Sequence, residues 1–249
     1  MQGAKLERVL LSIITVCYNA DQALVRTMDS VAEQTFRNFE YIIIDGASED
    51  GTLQIIHERR AEVDQWISEP DTGIYNAMNK GIKMAKGEYL CFMNAGDCFH
   101  APSTLSDLFA SIGSQRPDVL YGQTNLVDNV GNYLRPRRLS APKKLTKRSF
   151  LRGMLVCHQS FYPKRDLAPM YDESYRYSSD YDWCLNILGR SRSNYYSGLV
   201  LTDYLSEGMT TQHRRASLVE RFKIMRKHFG IMPTLFAHFY ITFRLIFHR

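Results

Sequence analysis

The sequence predicts an α/β fold with a mostly parallel central sheet flanked by helices, and three observations lead there. Apolar runs of strand length alternate with stretches whose apolar residues recur at three- and four-residue spacing, the pattern of repeated strand–helix–strand units. The links between them are short and hold Gly, Asn, Asp and Pro, which suits right-handed crossovers between parallel strands. The strands also end, one after another, on a carboxylate or an amide, a recurrence that ordinary turns do not predict.

Residues 12–19 (Ser-Ile-Ile-Thr-Val-Cys-Tyr-Asn) make a β-branched run that closes on polar groups, the first strand. A helix follows around Leu24, Met28, Val31 and Ala32. Residues 39–44 form the second strand, ending at Asp45-Gly46. Asp50-Gly51 then reads as a structural turn before a helix from Thr52. A short third strand, residues 65–68, stops at Glu69-Pro70-Asp71-Thr72-Gly73, and a helix runs through Ile74, Ala77, Met78, Ile82 and Ala85. The fourth strand, residues 87–92, is opened by glycine and breaks at Asn94-Ala95-Gly96-Asp97. One reading of that break is a β-turn, since Asn, Gly and Asp form turns. The other is a site: ligands in open α/β sheets bind outside the carboxyl ends of the strands. A carboxylate there can hold a hard divalent cation that bridges to substrate phosphates. Farther along, Ser179-Asp180 reads as the N-cap and Gly189 as the C-cap of an amphipathic helix.

At 249 residues, with 45% hydrophobic and 23% charged residues, the chain has the size and composition of one globular enzyme-like domain. The five cysteines, Cys17, Cys91, Cys98, Cys157 and Cys184, show no zinc-like spacing. Their odd number within apolar runs suggests reduced thiols in a cytosolic compartment. Residues 1–8 are polar and charged, so no secretory leader is expected. No G-x-G-x-x-G follows a strand, which disfavours a dinucleotide-dependent dehydrogenase. Residues 135–148 hold seven arginines and lysines and no acid. They read either as a solvated loop or as a flexible lid facing phosphates of a substrate or of anionic lipid. A nucleic-acid partner is not expected, because the net charge of +5 is modest and no recognition motif accompanies it. Residues 214–229 have helical spacing with many basic residues, and residues 231–247 are aromatic-rich but interrupted by Pro233, His238 and Arg244. That tail is too short and polar for a bilayer span. It reads as an interfacial amphipathic helix or as a terminal helix docked on the core.

The residues that carry these strand ends resemble a known family. Residues 12–19, 44–52 (Ile-Asp-Gly-Ala-Ser-Glu-Asp-Gly-Thr), 68–81 (Ser-Glu-Pro-Asp-Thr-Gly-Ile-Tyr-Asn-Ala-Met-Asn-Lys-Gly), 94–97 and 179–183 (Ser-Asp-Tyr-Asp-Trp) look like the family-two inverting glycosyltransferases, in the family's order. Among these the chain looks closest to enzymes of bacterial exopolysaccharide assembly, of the colanic-acid kind. The resemblance implies the GT-A fold, a Rossmann-like central sheet with a smaller acceptor-side lobe and a helical tail. It implies a domain over residues 1–212, with a nucleotide-sugar half at about 10–100 and an acceptor half at about 101–212, before a basic, aromatic tail at 213–249.

The roles it implies can be carried over residue by residue. Thr15, Tyr18, Asn19, Asp45, Asp71 and Asn94 match positions that bind the nucleotide-sugar, and Asp97 matches the second acid of a metal-binding Asp-x-Asp element. The family often has an acid where Asn94 stands, so a Mg²⁺ or Mn²⁺ ion would lean on Asp97 and the diphosphate. Asp180 matches the catalytic base, with Asp182 as runner-up. His158, Gln159 and Asp182 match the acceptor side, as do Asp172 and Glu173, while His213 is a candidate phosphate or metal ligand. Asp45 and Asp71 also have plain readings, as a turn residue and as a helix cap. The implied partners are a nucleotide-diphospho-sugar and a polyprenyl-diphosphate-linked glycan, at the cytoplasmic face of the inner membrane, where the protein would be peripherally bound. Two alternatives remain from the sequence, a sugar nucleotidyltransferase and a catalytically inactive nucleotide-sugar binding protein.

Overall fold

A computed structural model of the chain describes residues 9–206 and 214–247, without the side chains of 214 and 240–247. Four parallel strands form the first sheet: β1 (Leu11–Cys17), β2 (Phe39–Asp45), β3 (Gln65–Ser68) and β4 (Tyr89–Phe92), in the order β3-β2-β1-β4. Helices α1 (Asp21–Ala32), α2 (Thr52–Glu58) and α3 (Ile74–Met84) connect them. Register is set by alternation along β1: Ile14 and Val16 join one core cluster, and Leu11, Ile13 and Cys17 join the other. The first cluster packs under α3 with Met78 and Ile82, the second under α1 with Leu24 and Met28. A sheet covered on both faces in this way is the ordinary setting for parallel strands.

The back edge of this sheet is closed by a buried carboxylate. Glu40 accepts hydrogen bonds from the Ser12 hydroxyl at 2.7 Å, the Gly87 N–H at 3.1 Å and the Gln65 amide at 3.0 Å. Gly87 is required there, since a Cβ would stand 2.5 Å from the backbone nitrogen of Ser12.

The second sheet holds β5 (Cys98–Phe99), β6 (Val119–Val127), β7 (Tyr133–Pro136), β8 (Phe161–Pro163) and β9 (Asn194–Leu205). Its order is β5-β9-β6-β7, with β8 also paired to β6. Only β6 and β9 run parallel, joined by the crossover that contains α5 (Ser179–Arg190). A bridge between Tyr89 and Lys164 links the two sheets. Helix α4 (Thr104–Ile112) packs against β9, and α6 (Arg214–Phe229) and α7 (Ile231–Phe247) follow in the tail. All five cysteines are free thiols.

Three expectations about local structure need correction. The basic segment does not begin as a loop: Tyr133–Pro136 is an edge strand paired to β6, and the Arg137 N–H continues it to the Thr124 carbonyl at 2.9 Å. Helix α5 is entered from Ser178, not from Ser179-Asp180, and it runs through Gly189 to Arg190. Asp71 does not cap α3, whose N-cap is Gly73. His213 lies outside the described residues.

Candidate active site

The carboxyl ends of β1 and β2 build a polar edge from their own loops. Asn19 and Ala47 both take left-handed backbone angles, φ 47° and 61°, a cost that non-glycine residues carry mainly where function or surrounding bonds demand it. Here those bonds are visible. The Asn19 N–H donates to Ser48 Oγ at 2.8 Å, and Asn19 Oδ1 accepts the Glu49 N–H at 2.9 Å. Asp45 is fully buried, accepting from the Ser68 hydroxyl at 2.6 Å, the Ser48 N–H at 3.0 Å and the Ser48 hydroxyl. Tyr18 stands 64% exposed. A Cβ on Gly46 would lie 3.0 Å from Asp71 Oδ2 and 3.3 Å from the Tyr18 ring, so these three residues form one surface. Asp71 is held by Lys80, 2.6 Å from its Oδ1.

Thr15 departs from its expected place. It is fully buried inside β1, donating to the Met93 carbonyl at 2.7 Å and bonded to the Tyr41 hydroxyl at 3.1 Å. It ties β1 to the end of β4 and does not reach the strand-end edge, because strand alternation turns it into the core with Ile13.

A cavity of about 310 Å³ opens between the first sheet and the second. Asn94 and Asp97 line it from the end of β4, His158 and Gln159 from the 3₁₀ turn before β8, Tyr75 from α3 and Asp180 from α5. Asp97 is 4% exposed, with Oδ1 accepting the Leu205 N–H at 3.0 Å and Oδ2 the Gln159 amide at 2.8 Å. Burial pushes its carboxyl up to about 6, against the pull of those two hydrogen bonds. Asn94 Nδ2 lies 3.5 Å from His158 Nε2, and its Oδ1 is buried with no hydrogen-bond partner.

On the far side of the same imidazole, His158 Nδ1 lies 3.5 Å from Asp180 Oδ2, and the Tyr75 hydroxyl donates to Asp180 Oδ1 at 3.2 Å. Burial alone would raise the Asp180 carboxyl. The hydrogen bond and charge of His158, the charge of Arg221 and the Tyr181 N–H outweigh it and hold the group below the usual carboxylate range. Asn94, His158, Asp180 and Tyr75 thus form one connected polar chain across the cavity.

Several residues expected on the acceptor side do other work. Asp182 is buried on the opposite side of α5, 2.7 Å from His228 Nε2 and 3.2 Å from Lys227 Nζ on α6. Two residues along a helix lie about 200° apart, so Asp180 and Asp182 face opposite ways. Gln159 lines the cavity with a committed amide, donating to Asp97 and accepting from the Cys157 thiol. Glu173 accepts from the Asn79 amide at 2.8 Å and the Asn76 amide at 3.0 Å, tying its loop to α3. Asp172 accepts the Ser174 hydroxyl at 2.6 Å and lies 3.8 Å from Lys227. Conversely, Tyr75, Arg137, Arg176 and Arg221 line the cavity without having been expected there. The basic segment was the one sequence signal that pointed toward Arg137.

Residues 12–168 match the model of glycosyl transferase family 2. A "PGL/p-HBAD biosynthesis glycosyltransferase" of Mycobacterium bovis is 30% identical over 181 residues, covering 70% of this chain and 68% of that protein. "Amylovoran biosynthesis glycosyltransferase AmsB" of Erwinia amylovora is 26% identical over 192 residues, covering 71% of this chain and 63% of that one. Among solved structures, the mannosyltransferase PcManGT from Pyrobaculum calidifontis, in complex with GDP-Man and Mn²⁺, superposes with a TM-score of 0.66 at 18% identity. That likeness covers 95% of this chain and 70% of the other, and concerns the fold alone.

Proposed function

The chain belongs to glycosyl transferase family 2, and from that premise we propose that it is an inverting enzyme of exopolysaccharide assembly. It moves a sugar from a nucleotide-diphospho-sugar to a hydroxyl of a lipid-linked glycan. The observation that carries this reading is the Asp180 carboxylate, held ionised at the wall of a cavity whose other side presents Asn94 and Asp97. A sugar hydroxyl is a poor nucleophile, and a positioned carboxylate can take its proton as the new bond forms. Asp180 removes that proton, and His158 and Tyr75 hold the carboxylate in place. The oxygen attacks the anomeric carbon opposite the departing diphosphate, so configuration inverts. In this reading residues 10–100 hold the donor, through Tyr18, Asn19, Asp45 and Asp71, and residues 101–212 hold the acceptor.

The residues present suit a divalent cation. Among the described residues no three His, Cys, Asp or Glu side chains group as a metal site. A cation shared with a diphosphate needs only one or two protein oxygens. Asp97 and the unpartnered Oδ1 of Asn94 supply that number. Mg²⁺ or Mn²⁺ held there would neutralise charge on the leaving nucleoside diphosphate. Screening UDP-, GDP- and dTDP-sugars for thermal stabilisation, with and without Mn²⁺, followed by turnover of the best donor, tests the reading. Asp97→Asn is expected to weaken Mn²⁺-dependent donor binding by about 10-fold or more. Unchanged calorimetric affinity would remove Asp97 from this role.

A lipid-linked acceptor places the enzyme at the cytoplasmic face of a membrane, and α7 offers a surface for it. Its inner side is docked: Thr234 is buried, Ala237 packs on the core, and His238 meets the Phe222 ring. Its outer side exposes Ile231, Met232, Leu235 and Phe236. The basic turn Lys147–Arg152 packs beside it, so an apolar stripe adjoins positive charge, as interfacial binding to anionic lipid requires. Among the described residues no helix is long and apolar enough to cross a membrane. Met232→Glu with Phe236→Glu should reduce flotation with anionic liposomes about tenfold or more while donor binding persists. Equal flotation of the variant would assign the stripe another purpose.

A further inference from the structure

Three guanidinium groups from three separate elements line the cavity that holds Asp180. Arg137 follows β7, Arg176 precedes α5 and Arg221 stands in α6. Arg137 donates from Nη1 to the carbonyls of Leu139 at 3.1 Å and Leu155 at 3.4 Å. Arg221 lies 5.8 Å from the centre of the Tyr181 ring, and its Nε is buried with no hydrogen-bond partner. Arg176 is fixed through its backbone, since Glu220 accepts the N–H groups of Arg176 and Tyr177, each at 2.8 Å. The residue itself is exposed, and its guanidinium lies 5.8 Å from the centre of the Tyr177 ring.

Among the described residues none of the three closes an ion pair with a carboxylate, whereas Arg59 and Lys80 elsewhere do so. The cavity wall therefore sets three guanidiniums against two carboxylates, Asp97 and Asp180. A buried, charged donor without an acceptor is costly unless a ligand supplies one. Planar forks on the wall of one cavity suit a phosphate, which can accept from several of them at once.

Two phosphates could arrive, the donor's diphosphate or one carried by the acceptor. Tyr18, Gly46 and Asp71 stand outside this cavity, on the strand-end edge. Asn94 and Asp97 serve the donor's diphosphate through a cation in the reading above, which leaves the arginines unclaimed. Arg137 and Arg176 enter from the half that also supplies Asp180, the group that must meet the acceptor hydroxyl, and Arg221 enters from the tail helix packed on α5. We propose that Arg137, Arg176 and Arg221 form a phosphate-binding subsite for the phosphate or diphosphate carried by the acceptor. The assignment to an acceptor rests on the transferase reading.

The test titrates farnesyl diphosphate, with farnesol as the uncharged control, into full-length protein. Each titration is run alone and with saturating Mn²⁺ and whichever of UDP or GDP stabilises the protein. Farnesyl diphosphate should bind with the nucleotide present, and farnesol should not. Arg176→Gln, exposed and remote from the core, should weaken farnesyl diphosphate about tenfold and leave nucleotide affinity within about twofold, on the scale of one charge-assisted hydrogen bond. Arg221→Lys, which keeps the charge but loses the fork, should weaken it as well. Wild-type affinity in both variants would overturn the subsite. An equal loss of nucleotide affinity, or displacement of farnesyl diphosphate by nucleotide, would give the arginines to the donor. If wild type turns over no nucleotide-sugar yet binds farnesyl diphosphate through these arginines, the transferase reading fails, and the acceptor assignment with it.

Discussion

Asp180→Asn is expected to lower turnover by about 10²-fold or more, the scale of general-base removal, with the fold retained and donor affinity close to wild type. The substitution keeps the shape and retains Oδ1 as acceptor for the Tyr181 N–H and the Tyr75 hydroxyl. It does not disturb the helix entry, which belongs to Ser178. What it removes is the second oxygen, 3.5 Å from His158, as a proton acceptor.

The pH dependence follows from the direction of the Asp180 shift. The carboxyl is held below its usual range, so the base is ionised throughout neutral pH. With enzyme saturated by donor and Mn²⁺, so that protonation of Asp97, pushed up to about 6, does not intervene, the acid limb of the rate should therefore fall below the ordinary aspartate value of about 3.9. Stability has the same sign: the contribution of a depressed carboxylate is present above its unfolded value and is lost as pH falls through the folded one. In the asparagine variant this limb should vanish along with the rate. Single-turnover rates measured from pH 3 upward, on the order of one point per half unit around the aspartate value, would show it. Near-wild-type turnover would remove the base assignment, since Asp182 does not line the cavity.

Much of this arrangement was legible in the sequence, because periodicity and strand ends are local signals. The strand at residues 65–68 and the helix at 214–229 were readable from spacing alone and match Gln65–Ser68 and Arg214–Phe229. Asn94 and Asp97 were readable because an apolar strand broke abruptly on them, and the structure puts both on the cavity wall. Orientation was harder. Thr15 sits two residues before the end of an apolar strand, yet only the register with β2 and β4 decides that its hydroxyl meets Tyr41 and Met93. The edge strand β7 was hidden because its Arg135 and Pro136 look like loop composition, while pairing with β6 is a long-range choice. The guanidinium cluster draws on positions 137, 176 and 221, which no local pattern brings together.

Asp182→Ala should have the opposite signature, a loss of stability before any loss of chemistry. Asp182 is the joint between α5 and α6: His228 Nε2 lies 2.7 Å from Oδ1, Lys227 Nζ lies 3.2 Å from Oδ1, and the Asn186 amide donates to Oδ2 at 2.8 Å. The side chains of Asp182 and His228 are 4% and 6% exposed, so solvent cannot replace the lost partner. Burial opposes ionisation of Asp182, but the hydrogen bonds and charges of His228 and Lys227 hold its carboxyl below the usual range. Removing one member of a buried pair costs about 3–5 kcal/mol, and for a chain of this size that lowers Tm on the order of 10 °C. The gap between wild type and variant should be widest above the ordinary aspartate value and close as pH falls below it, because the carboxylate contributes only while ionised. Asp182→Asn, which retains an acceptor for His228, should lose less. Arg221 and Glu220 ride on the same helix, so the cavity wall loosens only after the joint does. If Asp182→Ala instead melts with wild type and loses turnover, Asp182 reaches the substrate and the two carboxylates of α5 must exchange roles.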